Sequence, residues 1–282
     1  MIVDVHSHVF RDPESFPGGG FRDGVARAHG GPVDLSVRYD AYRASAPDDT
    51  VTVAFGGKAR LSGLWVDDAE VASYVRTDPA RLVGFLAVDP TQAGWEADLR
   101  YGHEELGLRG VKVMPMYAGF RPDDPAYDPL WSYAQRKGLP VLSHTGTTFV
   151  SAAPLEYALP RYFDGVAARF PELRLVLAHL GHPYEGECIA VIRKHPHVYA
   201  DVSALHYRPW QLYHALMLVQ EYGVWNKLLF GSDYPFTTVT ASVAGLRRLA
   251  EVRPHAGLPG LDHDQIEALL QRESLRLLGL EP

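Results

Sequence analysis

The sequence predicts a single (β/α)8 barrel of the TIM type, an α/β fold spanning residues 1–282. Three observations predict it. Eight short apolar runs are spaced along the chain, each is too apolar to leave one face in water, and amphipathic stretches of helical period separate them. Alternating strand and helix implies right-handed crossover units, and eight such units close into a cylinder. An open, doubly wound sheet is the alternative architecture. The length of 282 residues suits one barrel or two small domains, and no internal repeat or low-complexity linker marks a boundary.

In chain order the strand candidates are IVDV at the start, VTVAF near Val51, LVGFLAV near Leu82 and GVKVM near Gly110. They continue with PVLSH near Pro140, LRLVLAH near Leu173, VYADVS near Val198 and KLLFGSD near Lys227. The stretch over 10–50 is different. It holds Gly18, Gly19, Gly20, Gly30 and Gly31 with several prolines and charges, and reads as a long first βα loop with one short helix over 39–46. Such a segment either covers a catalytic site or is a mobile surface loop.

Helical stretches lie between the later strands. DPLWSYAQRKG ends on a glycine C-cap signal at Gly138. YFDGVAARFPEL places Phe163, Val166 and Phe170 at helical spacing, and EGECIAVIRKH carries Ile189 and Ile192 on one face with basic residues in its last turn. WQLYHALMLVQEYG and DQIEALLQRESLRLLG are helical stretches of the same kind. Trp65, Trp131 and Trp225 are expected to pack helices on the barrel, and Arg247 with Arg248 to form a solvated helix face.

Composition narrows the function. Hydrophobic residues at 46% and charged residues at 22% support a sizeable core. The net charge of −7 suggests neither nucleic acid nor an anionic membrane as partner. No apolar run approaches the ~18 residues of a membrane span. The opening MIVDVHSHVF lacks a basic n-region and a cleavage site, so no signal peptide is expected. One cysteine, Cys188, permits no internal disulfide, and a cytoplasmic enzyme acting on a small molecule is the expectation. Thirteen histidines invite a search for metal chemistry.

That search finds a pattern. Asp4-Val5-His6-Ser7-His8 ends the first run. Residues two apart on a strand share a face, so His6 and His8 project together as a chelating pair, and Asp4, one step deeper on that face, is expected to orient a ligand. His144 follows PVLS, His179 follows LRLVLA and Asp233 follows LLFGS. A parallel barrel gathers the carboxyl ends of its strands at one rim, where these five side chains would converge. Imidazole and carboxylate donors suit one divalent ion, Zn2+ first, with Mn2+, Fe2+ or Co2+ as alternatives.

DVHSHVF, SHTG, LAHLGHP and GSDYPF, in this order, resemble the amidohydrolase superfamily, in the branch of aminocarboxymuconate-semialdehyde decarboxylase and gamma-resorcylate decarboxylase. The resemblance spans nearly the whole chain. It implies His6, His8, His144 and Asp233 as metal ligands and His179 as the catalytic histidine, with a homodimer or larger assembly. Those decarboxylases carry His-Pro-Trp after the fifth strand, where this chain has His144-Thr145-Gly146. Lys112, in GVKVMP, matches the place of the carboxylated lysine that bridges two metals in some amidohydrolases. A mononuclear site is the pattern of this branch, and a substrate-anion contact or an orienting role for Lys112 is the other reading.

The first functional expectation is a metal-dependent hydrolase of a small carboxylated or cyclic amide or lactone. Asp233 would hold the attacking water and accept its proton, and His179 would act as acid, base or polarising group. The second is a metal-dependent non-oxidative decarboxylase, a carboxy-lyase. The third is a metal-binding barrel without catalysis. Arg208, after the seventh strand with His206, is a candidate clamp for a substrate carboxylate, the alternative being a surface cap. Tyr117 and Arg121, after the fourth strand, are further substrate-contact candidates. His182 reads first as a helix-start or surface residue and second as a pocket residue. His195, His197, His214, His255 and His263 read as solvent-facing or structural.

Overall fold

Eight parallel strands form one continuous sheet in the computed structural model, which describes residues 1–252 and 259–281. Each of the eight apolar runs is a barrel strand. They are β1 (Ile2–His8), β2 (Thr50–Phe55), β3 (Leu82–Val88), β4 (Val111–Val113), β5 (Val141–Ser143), β6 (Leu175–Leu177), β7 (Val198–Asp201) and β8 (Leu228–Leu229). Neighbours in sequence are neighbours in space, as sequential βαβ units require. The cylinder closes between the first strand and the chain after the last. Val5 N–H donates to the Phe230 carbonyl (2.9 Å), Asp233 N–H to His6 (2.8 Å) and His8 N–H to Tyr234 (2.8 Å). This closure excludes the open sheet.

Side chains alternate between two apolar layers. Val53, Phe55, Phe85, Leu142, Val176 and Leu229 belong to one cluster, while Leu86, Val111, Val141, Leu175, Ala200 and Leu228 pack with the helices in another. The first cluster also holds Leu278 and Leu280 from the C-terminal segment. The helical stretches fall as the sequence predicts over Asp128–Lys137, Tyr162–Arg169, Glu185–Lys194 and Pro209–Tyr222, and Gly138 caps the first of these at φ 68°. The last stretch is broken, into His263–Leu270 and Ser274–Leu277. Between them Arg272 leaves the helical path to bond the carbonyls of Trp225 (3.1 Å) and Asn226 (3.3 Å). Trp131 and Trp225 are buried as expected. Trp65 instead lies in a two-stranded hairpin, Lys58–Ala59 with Leu64–Trp65, where the Arg60 guanidinium covers its ring at 3.9 Å. No helix among the described residues is long and apolar enough to cross a membrane. His255 lies outside the described residues.

Two features of β1 and the segment after it position the site. Asp4 pairs with Thr52 and Ser7 with Ala54, so β1 holds one residue more than β2 across this span. That bulge breaks the alternation the sequence predicts. Asp4 therefore does not orient a ligand ring. Its carboxylate accepts from Ser232 N–H (2.8 Å), Ser232 Oγ (2.7 Å), His6 N–H (3.1 Å) and Tyr42 OH (3.3 Å), and so ties the bulge to the chain after β8.

The segment over 9–49 carries two helices, Gly20–His29 and Tyr39–Ala44, where the sequence predicts only the second. Phe21 and Val25, one turn apart, bury the inner face of the first. An aromatic ladder anchors it: His8 stacks on Phe10 (4.6 Å), Phe10 meets Phe16 (5.3 Å), and Phe16 stacks on Phe21 (5.6 Å).

Leu278 is 1% exposed within the cluster that also holds Val53, Phe55 and Leu229. Leu278→Ala is expected to cost about 2–5 kcal/mol of stability, the range for a truncated core leucine. Urea unfolding measures this, and a loss under ~1 kcal/mol would show that the C-terminal segment does not seal the barrel.

Candidate metal centre

The carboxyl ends of β1, β5, β6, β7 and β8 deliver the predicted polar residues to one rim. His6 Nε2 lies 3.3 Å from Asp233 Oδ1, and His8 Nε2 lies 3.2 Å from the same oxygen. One nitrogen each of His6 and His179 and one Asp233 oxygen all lie within 4.8 Å of one another. The rings of His6 and His179 are 4.8 Å apart, and those of His179 and His144 are 5.1 Å apart. His6, His179 and Asp233 therefore form a three-donor group, with His8 and His144 beside it. Donors each about 2.1 Å from one ion are separated by at most about 4.2 Å. The distances from His6 to Asp233 and from His8 to Asp233 each fit that limit.

The hydrogen bonds behind the rings decide which nitrogens face inward. His6 Nδ1 donates to Asp201 Oδ2 (2.9 Å), so Nε2 keeps its lone pair toward Asp233. His179 Nδ1 bonds Ser203 Oγ (2.8 Å), and that hydroxyl donates to Asp201 Oδ1. The same Asp201 oxygen accepts the backbone N–H of His179 (3.1 Å) and of Ser203 (3.0 Å). His144 is turned the other way: its Nε2 donates to the Thr147 carbonyl (3.1 Å), which leaves Nδ1 free. One buried carboxylate, Asp201, thus orients two histidines from two strands. Asp201 is not among the residues the sequence singles out, because it lies within the run VYADVS, although it is the last residue of β7.

Electrostatics favour a cation here. Burial holds His6, His8 and His179 well below the ordinary imidazole range, reinforced by Lys112 and by neighbouring imidazoles. Burial and Lys112 bring His144 down to about 3. The four rings are neutral at physiological pH and offer lone pairs without proton competition. Burial raises Asp233 well above the carboxylate range, which Lys112 only partly offsets. The donor set fits one divalent ion: neutral imidazoles, a carboxylate, and the orientations of His6, His144 and His179 fixed from behind.

Backbone geometry aims these groups. His179 (φ 59°), Leu180 (φ 49°), Ala204 (φ 59°) and Asp233 (φ 66°) are left-handed, each just past a strand. Non-glycine residues in that region cost ~1–3 kcal/mol each and persist only where packing fixes them. Gly231 allows close approach, since a Cβ there would sit 2.8 Å from the Cβ of His6.

The remaining predicted residues divide. Tyr117 and Arg208 line a cavity of about 350 Å3 that also borders His8, His144, His179 and Asp233. Tyr117 meets the His144 ring edge-on at 4.7 Å. Arg208 donates to the Ala204 carbonyl (2.7 Å) and covers the Tyr207 ring (4.5 Å), with no carboxylate partner among the described residues. His182, buried rather than on the surface, also lines the cavity. His206 and Arg121 do not. His206 Nε2 donates to the Gly231 carbonyl (2.9 Å) and pins the turn after β8, and Arg121 is exposed and paired with Asp123 (2.6 Å). Lys112 is buried without a hydrogen-bond partner. Its Nζ lies 4.5 Å over the Phe55 ring, which His6 and His8 also touch, and burial lowers it to about 7 against the pull of Asp201 and Asp233. His195 pairs with Asp164 (2.7 Å), His197 is half-buried, and His214 and His263 are exposed.

Fold and site together define a metal-binding barrel enzyme. A family model described as Amidohydrolase matches residues 3–280, and the chain belongs to that family. A comparison with curated proteins finds no match. Among solved structures, a TIM-barrel protein of Bordetella bronchiseptica is similar at a TM-score of 0.74 and 21% identity, over 99% of this chain and 98% of that one. A probable 2-pyrone-4,6-dicarboxylic acid hydrolase from Acinetobacter baumannii follows at 0.68 and 17%, over 99% of both chains. 5-Carboxyvanillate decarboxylase from Sphingomonas paucimobilis is similar at 0.63 and 14%, again over 99% of both. These likenesses establish the shared fold.

Asp201→Asn is expected to weaken divalent-ion binding ~10–100-fold, because the amide no longer fixes both ring tautomers. Competition with a chromogenic chelator measures this. An unchanged affinity would show that the two rings hold their orientation without Asp201.

Proposed function

We propose that this chain is a mononuclear metal-dependent carboxy-lyase, working as one unit over residues 1–282, that removes carbon dioxide from a small carboxylated ring. The observation that carries the reading is the cavity. It is sized for a single ring, it is walled by Phe21, Tyr117, Phe149 and Phe236, and it joins the donor cluster to the guanidinium of Arg208. Aromatic walls suit a planar substrate. A guanidinium without an acidic partner suits a carboxylate. The likeness to 5-carboxyvanillate decarboxylase supports this class.

His6, His8, His144 and Asp233 would hold the ion, Zn2+ or another divalent metal that accepts imidazole and carboxylate donors. When bound, it supplies a positive charge that anchors and polarises a substrate oxygen. Arg208 and Tyr117 orient the ring. The carbon–carbon bond to the carboxylate would break with its electron pair left on the ring carbon, and His179 Nε2, a lone pair in the resting ring, would first take a proton from solvent and then hand it to that carbon. Asp201 and Ser203 keep His179 aimed through its Nδ1 side. The aromatic walls exclude water from the carbon that receives the proton.

A second reading, hydrolysis of a cyclic ester, is favoured by the higher TM-score of 0.68 to the 2-pyrone-4,6-dicarboxylic acid hydrolase. There Asp233 would take the proton of the attacking water and His179 would polarise the carbonyl. Both readings call for a carboxylated ring.

Incubation of the metal-loaded protein with aromatic ring acids and with carboxylated lactones separates the two. Carbon dioxide release supports the lyase, and a ring-opened acid without gas overturns it in favour of the hydrolase. His6→Ala and Asp233→Ala are each expected to lose both metal and turnover. Full metal content in either, by elemental analysis, would remove that residue from the ligand set. His179→Ala is expected to keep its metal and lose ~10²–10⁴-fold in kcat, the range for a lost general acid. Metal loss in this variant would make His179 a ligand instead.

A further inference from the structure

Thr145, next to His144, is fully buried and takes no part in the proposed reaction as a substrate or metal contact. The backbone ladder between β5 and β6 ends at Ser143 and Leu177. Beyond that rung a side chain continues the pairing: Thr145 Oγ1 donates to the Ala178 carbonyl at 2.6 Å. That carbonyl belongs to the peptide linking Ala178 to His179. The N–H of the same peptide donates to Asp201 Oδ1 (3.1 Å). Both polar groups of one peptide are thus held by buried side chains, one just past β5 and one at the end of β7. A carbonyl only accepts and a backbone N–H only donates, so neither bond depends on a ring tautomer.

The place of this peptide gives the clamp its consequence. From its plane the chain turns into the left-handed region, with His179 at φ 59° and Leu180 at φ 49°. A non-glycine residue stays there only where its surroundings over-determine it. His182 N–H closes the turn on the His179 carbonyl (2.9 Å). Gly146 presses against the same turn: a Cβ there would collide with the His182 carbonyl oxygen, so the chain bearing Thr145 is held close. Ser203 Oγ meets the ring at Nδ1 (2.8 Å), which orients the imidazole but does not place its Cα.

We infer that Thr145 is a positioning residue for His179: its hydroxyl holds the peptide before His179 and so sets where the imidazole stands over the cavity. From the reading above this takes only the role of His179 as proton donor.

NMR spectra of the zinc-loaded protein with isotope-labelled histidine test it, the ring signals of His179 being those lost in His179→Ala. Thr145→Val keeps the shape without the hydroxyl and is expected to shift these signals at unchanged zinc content. Thr145→Ser restores the donor and is expected to return them toward wild type. In turnover of a ring acid, Thr145→Val is expected to lose ~10–100-fold in kcat at little-changed KM, less than removal of the acid itself, and Thr145→Ser to recover most of it. Thr145→Ala supplies the same readouts should the valine variant not fold. Unshifted His179 signals, or a wild-type kcat, in the variant without the hydroxyl overturn the positioning role. Zinc loss there overturns it too, since the hydroxyl would then serve the neighbouring His144. If wild type turns over no ring acid, the reaction class falls, and the His179 signals alone decide on Thr145.

Discussion

The seam between the first strand and the chain after the last holds the site together. His6 and Asp233 are far apart in sequence, yet the Asp233 N–H donates to the His6 carbonyl and the His8 N–H to Tyr234. Asp4 reinforces the seam by accepting two bonds from Ser232. Without these bonds the two opening histidines and the aspartate would lie on opposite edges of an open sheet. Closure of the cylinder and assembly of the donor cluster are one event. The strained φ of Asp233 is tolerated because the backbone on both sides is held by this pairing.

Burial then sets the chemistry. Four imidazoles packed beside Lys112 cannot all be charged, and the structure keeps them neutral. Neutral rings need their remaining N–H satisfied. Asp201 does this for His6 directly and for His179 through Ser203, and Thr147 does it for His144. Three of the four rings are thereby turned before any ion arrives, while His8 Nδ1 has no hydrogen-bond partner among the described residues and its ring is held by stacking on Phe10. A raised Asp233 carboxyl must release its proton when a cation binds, so affinity for the ion increases with pH.

Much of this was legible in the sequence, for a physical reason. Parallel barrel strands are buried on both faces, so they read as apolar runs, and a polar residue ending such a run stands out. His144, His179 and Asp233 were found that way. Asp201 obeys the same rule but sits within VYADVS, before a further apolar residue, and was overlooked. The face shared by His6 and His8 was legible from the period of a strand. The place of Asp4 was not, because a bulge is a property of two strands together and leaves no mark in one. The helix Gly20–His29 was hidden by its glycine-rich start and by an anchoring face of only Phe21 and Val25, whose partners Phe10, Phe16 and Tyr117 are distributed elsewhere. Arg121 and His206 share a rim position with Arg208, and only side-chain partners distinguish them.

The floor and the roof of the cavity come from separate stretches of chain. Rigid strand ends supply the reacting groups, whereas Phe21, Ala28 and His29 come from a helix inserted between β1 and β2, and Phe149 from the stretch after β5. Arg27 ties the two roof pieces together through the Phe149 carbonyl (2.6 Å). Grafting a different insert at that point would change which molecules are admitted while the ligating geometry stays as it is.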